Sequence, residues 1–224
     1  MSDAGAPSTG VQPRPLVPLP ARLGILLSGR GSNFDALFEA CQRGALPATI
    51  ALVVSDVLDA PGLARAEARG LNAVALVPSE LGGKAAFEAE VQRRLEEAGV
   101  HLVCLAGFMR ILSPAFVARW PLRLLNVHPS ILPSFPGLDA QEQAVRHGVR
   151  VSGATVHFVD SGTDTGPIVG QTALPLRENE AADAYAARLL PVEHSLYVSS
   201  VGRVLEGGWR IDGRAVRFPD RRSR

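Results

Sequence analysis

Apolar and polar positions alternate along the chain in blocks, with short apolar runs separated by longer segments of helical periodicity. Short runs rich in Val, Ile and Leu are typical of strands buried on both faces of a parallel sheet. Their alternation with helical segments predicts the α/β class, with a doubly wound and mostly parallel, Rossmann-like sheet. The predicted strands span residues 23–27, 50–54, 73–77, 102–105, 124–127, 154–159 and 168–174.

Helical segments are recognised from their apolar spacing and from the residues that bound them. Phe34, Leu37 and Cys41 are spaced as on one helix face, and Gly44 follows where that helix would end. The same reasoning predicts a long last helix over residues 181–205, followed by a hairpin around Asp212-Gly213. Shorter helices are predicted near residues 61–69, 87–98, 114–119 and 140–147.

The two ends of the chain differ in composition from the rest. Residues 1–21 are rich in proline, glycine and serine, and such a composition predicts a disordered tail. Residues 219–224 predict a second, C-terminal tail. The remaining 22–218 fit a single catalytic domain, because the length of 224 residues is ordinary for one domain.

Charge and cysteine content narrow the possible partners. The 23 basic and 22 acidic residues nearly balance, which argues against nucleic acid or an anionic membrane as a partner. No apolar run is long enough for a membrane-spanning helix. Cys41 and Cys104 lie among apolar residues and read as reduced, buried thiols, so we expect a cytoplasmic protein with small-molecule substrates.

The stretch SGRGSN, residues 28–33, joins the first predicted strand to the first helix. Small residues at a helix N-terminus let backbone N–H groups approach an anion closely, which suits a phosphate. The stretch lacks the lysine of a Walker loop and the third glycine of a dinucleotide fingerprint. A tight turn without a ligand explains the glycines equally well.

Two polar residues end the fifth predicted strand, in the stretch NVHPSILPSFPG of residues 126–137. Residues two apart in a strand share a face, so Asn126 and His128 project together while Val127 points into the core. The prolines of the following loop restrict its backbone and would hold a site rigid. This pattern predicts a functional pair at the carboxyl end of the sheet.

Three further stretches carry candidate chemistry. In DSGTDTGP, residues 160–167, Asp164 is placed to orient a histidine, although a solvated connector is the simpler interpretation. His157, just upstream, is interpreted as support for the site or as a core histidine. The apolar residues of LAGFMRILSP, residues 105–114, would line a flat slot for an aromatic ligand or pack in the core. Glu193-His194 reads as an exposed pair unless the ligand carries an amine.

In this order, SGRGSN, LAGFMRILSP, NVHPSILPSFPG, ATVHFVDSGTDTGP and VEH resemble the folate-dependent phosphoribosylglycinamide formyltransferase family of purine biosynthesis. The resemblance covers about residues 22–218 and implies the Rossmann-like formyltransferase fold with a long C-terminal helix and hairpin. It implies transfer of the formyl group of 10-formyltetrahydrofolate, a co-substrate, to the amine of phosphoribosylglycinamide. It implies no metal, and a monomer or homodimer.

The resemblance also implies roles for individual residues. Asn126, His128 and Asp164 match the catalytic trio of the family, with His157 as possible support. The residues that match its substrate-binding positions are Gly31, Ser32, Asn33 and Glu193. Those that match its folate pocket are Met109, Arg110, Ile111 and Leu112, with Lys84 near the glutamate tail by a looser alignment.

Other functions share part of this pattern. Formyltetrahydrofolate hydrolase and methionyl-tRNA formyltransferase share the Asn-x-His pair and the distal Asp. Both should carry an additional domain, for which we expect no room in this chain. A non-catalytic module that binds a phosphorylated ligand on the same fold is a third alternative, since fold does not dictate function. That alternative does not explain why Asn126, His128 and Asp164 should converge.

Overall fold

The computed structural model describes residues 10–219, which form a nine-stranded sheet in the order β3-β2-β1-β4-β5-β6-β7-β9-β8. The first five strands in this order pair in parallel, and β6 is antiparallel to both β5 and β7. The strands are β1 (Ala21–Leu27), β2 (Ala48–Ser55), β3 (Ala73–Ala75), β4 (Leu102–Leu105), β5 (Leu124–His128), β6 (Val151–Phe158), β7 (Ile168–Pro175), β8 (Arg210–Asp212) and β9 (Ala215–Arg217).

Helices cover both faces of the sheet, which confirms the predicted doubly wound class. The helices are α1 (Ser32–Gln42), α2 (Pro61–Ala68), α3 (Lys84–Glu97), α4 (Pro114–Arg119), α5 (Ala140–Arg146) and α6 (Ala182–Glu206). One core lies between the sheet and the helices α1, α2 and α6, and a second lies beneath α3 and α4. Strand β1 serves both cores because its side chains alternate: Leu23 and Ile25 enter the first and Leu26 the second.

The strands from β6 onward depart from the parallel pattern. Only residues 159–167 connect β6 to β7, whereas a crossover between parallel strands needs about a dozen residues or more. The two strands therefore run antiparallel, with Thr155 opposite Gln171. The predicted terminal hairpin is present as β8 and β9, and it extends the sheet beyond β7.

The N-terminal segment differs from the expected disordered tail over residues 1–21. Residues 1–9 lie outside the described part of the chain, and so do residues 220–224 of the predicted C-terminal tail. Residues 10–20, in contrast, pack on the end of α6. The Gln12 N–H donates to the Trp209 carbonyl at 2.8 Å and the Leu16 N–H to the Leu205 carbonyl at 3.1 Å. Leu16 packs against the first core, where Trp209 is fully buried. The prolines prevent a regular helix or strand here, but they do not prevent the segment from packing its apolar side chains on the core.

Candidate active site

A cavity of about 990 Å³ opens beyond the carboxyl ends of β1, β4 and β5. Its walls are the loops that follow these strands, the connection between β6 and β7, and one face of α6. Doubly wound sheets bind ligands at this edge, and the volume is that of an ordinary small-molecule site. The cavity brings together nearly all of the residues singled out in the sequence.

Asn126 and His128 both line the cavity, as the strand alternation predicts. β5 lies beside the antiparallel β6, which puts His157 directly opposite Asn126. The His157 Nδ1 is 2.8 Å from the Phe158 carbonyl, which only accepts, so Nδ1 donates. In neutral His157 the Nε2 lone pair then accepts from Asn126 Nδ2 at 3.3 Å. His157 therefore fixes which end of the Asn126 amide is the donor.

His128 is buried, with both ring nitrogens facing acceptors. Its Nε2 donates to the Phe135 carbonyl at 2.8 Å, and its Nδ1 lies 3.4 Å from Asp164 Oδ2. Burial lowers the pKa of His128 below its ordinary value, although the Phe135 carbonyl and the Asp164 charge act in the opposite direction. A second proton on Nδ1 would be held directly by the carboxylate.

Asp164 is not the solvated connector residue that its loop suggests. It adopts the left-handed conformation with φ 56°, and its side chain is 11% exposed. Oδ2 accepts from the Gly137 N–H at 2.8 Å, and Oδ1 lies 3.5 Å from His157 Nε2. Burial alone would raise the pKa of Asp164, but its contact with the His157 ring and its hydrogen bond from the Gly137 N–H hold that pKa below its ordinary value. The carboxylate therefore lies against both His128 and His157.

The SGRGSN loop leads from β1 into α1 along the cavity wall. Gly31, with φ 73°, precedes the first turn of α1, and no side chain caps that turn. Ser32 and Asn33 begin the helix, and both line the cavity. The first N–H groups of an uncapped helix have no partner within it, so they are open to an anion.

Glu193 is buried, contrary to the interpretation of an exposed pair. It lies 7% exposed on the cavity face of α6, which continues through Pro191. Burial raises the pKa of Glu193 to about 7, while a hydrogen bond from Asn33 and the charge of Arg30 act in the opposite direction. The Oδ1 atom of Asn33 is buried without a partner in the described part of the chain. The two side chains form an acceptor site suited to an amine.

The loop after β4 forms another wall of the cavity. Met109 and Ile111 are exposed at its rim, 65% and 67%, whereas Leu112 is buried. Arg110, which also lines the cavity, pairs with the buried Asp56 at the end of β2. Lys84 does not line the cavity: its Nζ lies 3.9 Å from Glu88 Oε1 on α3.

Residues that the sequence analysis missed hold this loop in place. The Ser28 hydroxyl accepts from the Met109 N–H at 2.9 Å. At the other end, the buried Glu88 accepts from the Ser113 N–H at 2.8 Å and from its hydroxyl. These contacts join segments far apart in the chain, so no local pattern indicates them.

Comparison with known proteins decides the family. Residues 21–201 match the formyl transferase family. The chain belongs to this family. Phosphoribosylglycinamide formyltransferase of Escherichia coli (strain K12) is 38% identical over 190 residues, which cover 85% of this chain and 87% of that protein. The family resemblance expected from the sequence motifs is thereby confirmed.

Two further members of the family are similar to most of this chain. The structure of glycinamide ribonucleotide transformylase 1 from Symbiobacterium toebii is 44% identical, with a TM-score of 0.87 and coverage of 89% of this chain and 94% of that one. The trifunctional purine biosynthetic protein adenosine-3 of Drosophila melanogaster is 40% identical over 188 residues. This chain covers only 14% of its length, and the match takes in 83% of this chain.

The described residues contain neither a cluster of metal-ligating side chains nor a membrane-spanning helix. Within residues 10–219, no group of three or more His, Cys, Asp or Glu side chains is placed to hold a metal ion. None of the helices in the same range is both long and apolar enough to span a membrane.

Proposed function

We propose that the chain is a phosphoribosylglycinamide formyltransferase, which transfers the formyl group of 10-formyltetrahydrofolate to the glycinamide amine in purine biosynthesis. The observation that carries the proposal is the meeting of Asn126, His128 and Asp164 at one wall of the cavity. A formyl transferase with a phosphate-compatible loop and an amine-compatible acid in the same cavity fits this pair of substrates best.

Attack of the amine nitrogen on the formyl carbon makes a tetrahedral intermediate with a negative oxygen. Asn126 Nδ2 has a second hydrogen that His157 does not use, and it donates to this oxyanion. Collapse of the intermediate breaks the bond between the formyl carbon and the folate nitrogen. The proton lost by the amine passes through an ordered water to that departing nitrogen, with Asp164 orienting the water.

His128 stabilises the same oxyanion as an imidazolium. In the free site its pKa is low and Nε2 already donates to Phe135, so it does not begin as a free donor. Negative charge developing beside the ring raises its pKa, so the ring takes a proton from solvent onto Nδ1, where Asp164 stabilises it, and returns that proton to solvent when the intermediate collapses. The oxyanion competes with the Phe135 carbonyl for Nε2.

The two substrates bind different walls of the same cavity. The phosphate of phosphoribosylglycinamide binds the N–H groups of Gly31, Ser32 and Asn33, and the carboxylate of Glu193 accepts from the amine. The pterin ring enters the slot formed by residues 109–112, whose exposed Met109 and Ile111 supply apolar contact. Lys84 lies outside the cavity, where only an extended glutamate tail would reach it.

We place this reaction in the cytoplasm, since Cys41 and Cys104 are both free thiols. We expect a monomer or homodimer.

The test is a coupled assay with purified protein and both substrates. We expect formylglycinamide ribonucleotide without added ATP, formate or metal ion. Release of formate from 10-formyltetrahydrofolate alone, with no transfer when the phosphoribosyl substrate is added, would identify a hydrolase instead. Binding of the phosphoribosyl substrate with neither reaction would favour a non-catalytic module.

A further inference from the structure

The loop between β1 and α1 packs on α2 through a contact between two glycines. A Cβ on Gly62 would lie 2.9 Å from the Gly31 Cα and 3.0 Å from the Gly29 carbonyl oxygen. A Cβ on Gly31 would lie 2.7 Å from the Gly62 Cα. Both neighbours are backbone atoms, which cannot swing aside as a flexible side chain can. The loop and α2 therefore approach as closely as two backbones allow.

Helix α2 also binds two successive carbonyls of this loop. The Gly62 N–H donates to the Gly29 carbonyl at 3.0 Å, and Arg65 Nη2 donates to the Arg30 carbonyl. Arg65 is itself held by the Asp35 carboxylate in the first turn of α1, at 2.9 Å from Nη2 to Oδ2. Hydrogen bonds from Arg65 and Arg69 hold the pKa of Asp35 below its ordinary value against the effect of burial. The arginine thus ties α2 to both the loop and α1.

These bonds determine where the loop N–H groups point. In a planar trans peptide the C=O and N–H are antiparallel, so a carbonyl that faces α2 turns the next N–H away from it. The N–H groups of Arg30 and Gly31 therefore both point away from α2, and residues 29–31 line the cavity. In the described part of the chain neither N–H donates to a backbone carbonyl. Successive N–H groups turned to one side form an anion-binding concavity.

We propose that Gly62 and Arg65 of α2, which do not line the cavity, are positioning residues that set the shape of the phosphate-binding loop. The inference rests on the proposed function, since it assigns a phosphate to this loop. Gly62 permits the close approach, and its N–H and the Arg65 guanidinium orient two peptides whose N–H groups face the ligand. Both residues act on phosphate affinity through the backbone of residues 29–31.

The decisive variant is Gly62→Ala. We expect KM for phosphoribosylglycinamide to rise at least about tenfold because the loop must shift, with kcat and the folate KM within about twofold of wild type. Gly202→Ala is the matched control: it also adds a methyl to a helix glycine, but that methyl meets only the Leu46 side chain, at 3.3 Å. It should leave all three constants unchanged.

A second pair of variants covers the case in which Gly62→Ala does not fold. Arg65→Lys keeps the charge but cannot reach both the Asp35 carboxylate and the Arg30 carbonyl, so we expect a KM increase of about threefold or more. Arg69→Lys perturbs the same carboxylate, which Arg69 Nη1 contacts at 2.5 Å, without touching the loop carbonyl. Equal phosphoribosylglycinamide KM values for these two lysine variants would overturn the proposal.

Calorimetric titration with ribose 5-phosphate separates this inference from the proposed function. Weaker binding to Gly62→Ala than to wild type supports the inference even if no formyl transfer is found, in which case only the proposed function fails. Equal affinity of wild type and a folded Gly62→Ala for ribose 5-phosphate overturns the inference, whatever the activity. Failure of wild type to bind ribose 5-phosphate would overturn it as well.

Discussion

His128 Nδ1 lies 3.4 Å from Asp164 Oδ2 while His128 Nε2 donates to the Phe135 carbonyl, so the ring stands between two acceptors. Only an imidazolium satisfies both at once. Burial lowers the pKa of His128, and the nearby carboxylate opposes that effect. The pair thus favours proton uptake when negative charge appears in the cavity, as it does during attack on a formyl carbon.

Removing the charge of Asp164 should slow the chemical step. We expect Asp164→Asn to lower kcat at least about a hundredfold because the imidazolium loses its counter-charge. Asparagine tolerates the left-handed backbone at this position, so the loop should keep its conformation. The control is Asp212→Asn, which changes an exposed carboxylate of β8. Steady-state kinetics measures both variants. Near wild-type turnover in Asp164→Asn would refute the mechanism.

Replacing the histidine should have an effect of similar size. We expect His128→Gln to lower kcat at least about a hundredfold, since the amide cannot become a cation. The matched change His101→Gln alters a histidine whose Nδ1 accepts from the Arg22 N–H, far from the cavity. The double variant with Asp164→Asn should be scarcely slower than either single variant, because the two residues act as a unit. Fully additive losses would show that they act independently.

As pH rises and Glu193 loses its proton, we expect the stability of the fold to fall and the affinity for the amine substrate to rise. Its pKa is about 7 in the folded chain against 4.5 for an ordinary glutamate. The folded state therefore binds this proton more tightly, which favours folding fully below about pH 4.5 and is lost as pH rises through about 7. Glu193→Gln has no such loss, so we expect it to exceed wild type in unfolding free energy by up to about 3 kcal/mol at pH 8.

Denaturant unfolding at pH 5 and pH 8 measures this difference, with Glu206→Gln at the exposed end of α6 as the control. The same Glu193→Gln variant should bind phosphoribosylglycinamide more weakly at pH 8, because a neutral amide lacks the charge that attracts an amine. A gain in stability that does not depend on pH would show that Glu193 is not the group responsible.

The sequence predicted those parts of the site that depend on local geometry. Strand alternation places Asn126 and His128 on one face, and the loop after β1 begins a helix at the cavity, as expected. The burial of Glu193 was missed because a Glu-His pair on a helix looks solvent-facing until the neighbouring elements are known. Contacts such as Gly62 with Gly31 join separate loops, so no local pattern indicates them.

His157 should affect turnover through the orientation of Asn126. We expect His157→Ala to lower kcat about tenfold, since Asn126 Nδ2 and Asp164 lose a neighbour that fixes them. The KM for phosphoribosylglycinamide should stay within about twofold, because the phosphate loop follows β1, which β4 and β5 separate from the strand that carries His157. A general loss of structure would raise KM as well, so the separation of kcat from KM distinguishes positioning from damage to the fold.

The N-terminal segment should stabilise the C-terminal end of the chain. We compare a chain that starts at residue 10 with one that starts at residue 21, because residues 10–20 cover the end of α6 and Trp209. Loss of the segment removes the packing of Leu16 against the first core and leaves the carbonyls of Leu205 and Trp209 without their backbone donors. We expect the shorter chain to lose about 1–3 kcal/mol of unfolding free energy in urea, with kcat unchanged since the segment does not line the cavity. Equal stability of the two chains would show that the segment makes no energetic contribution.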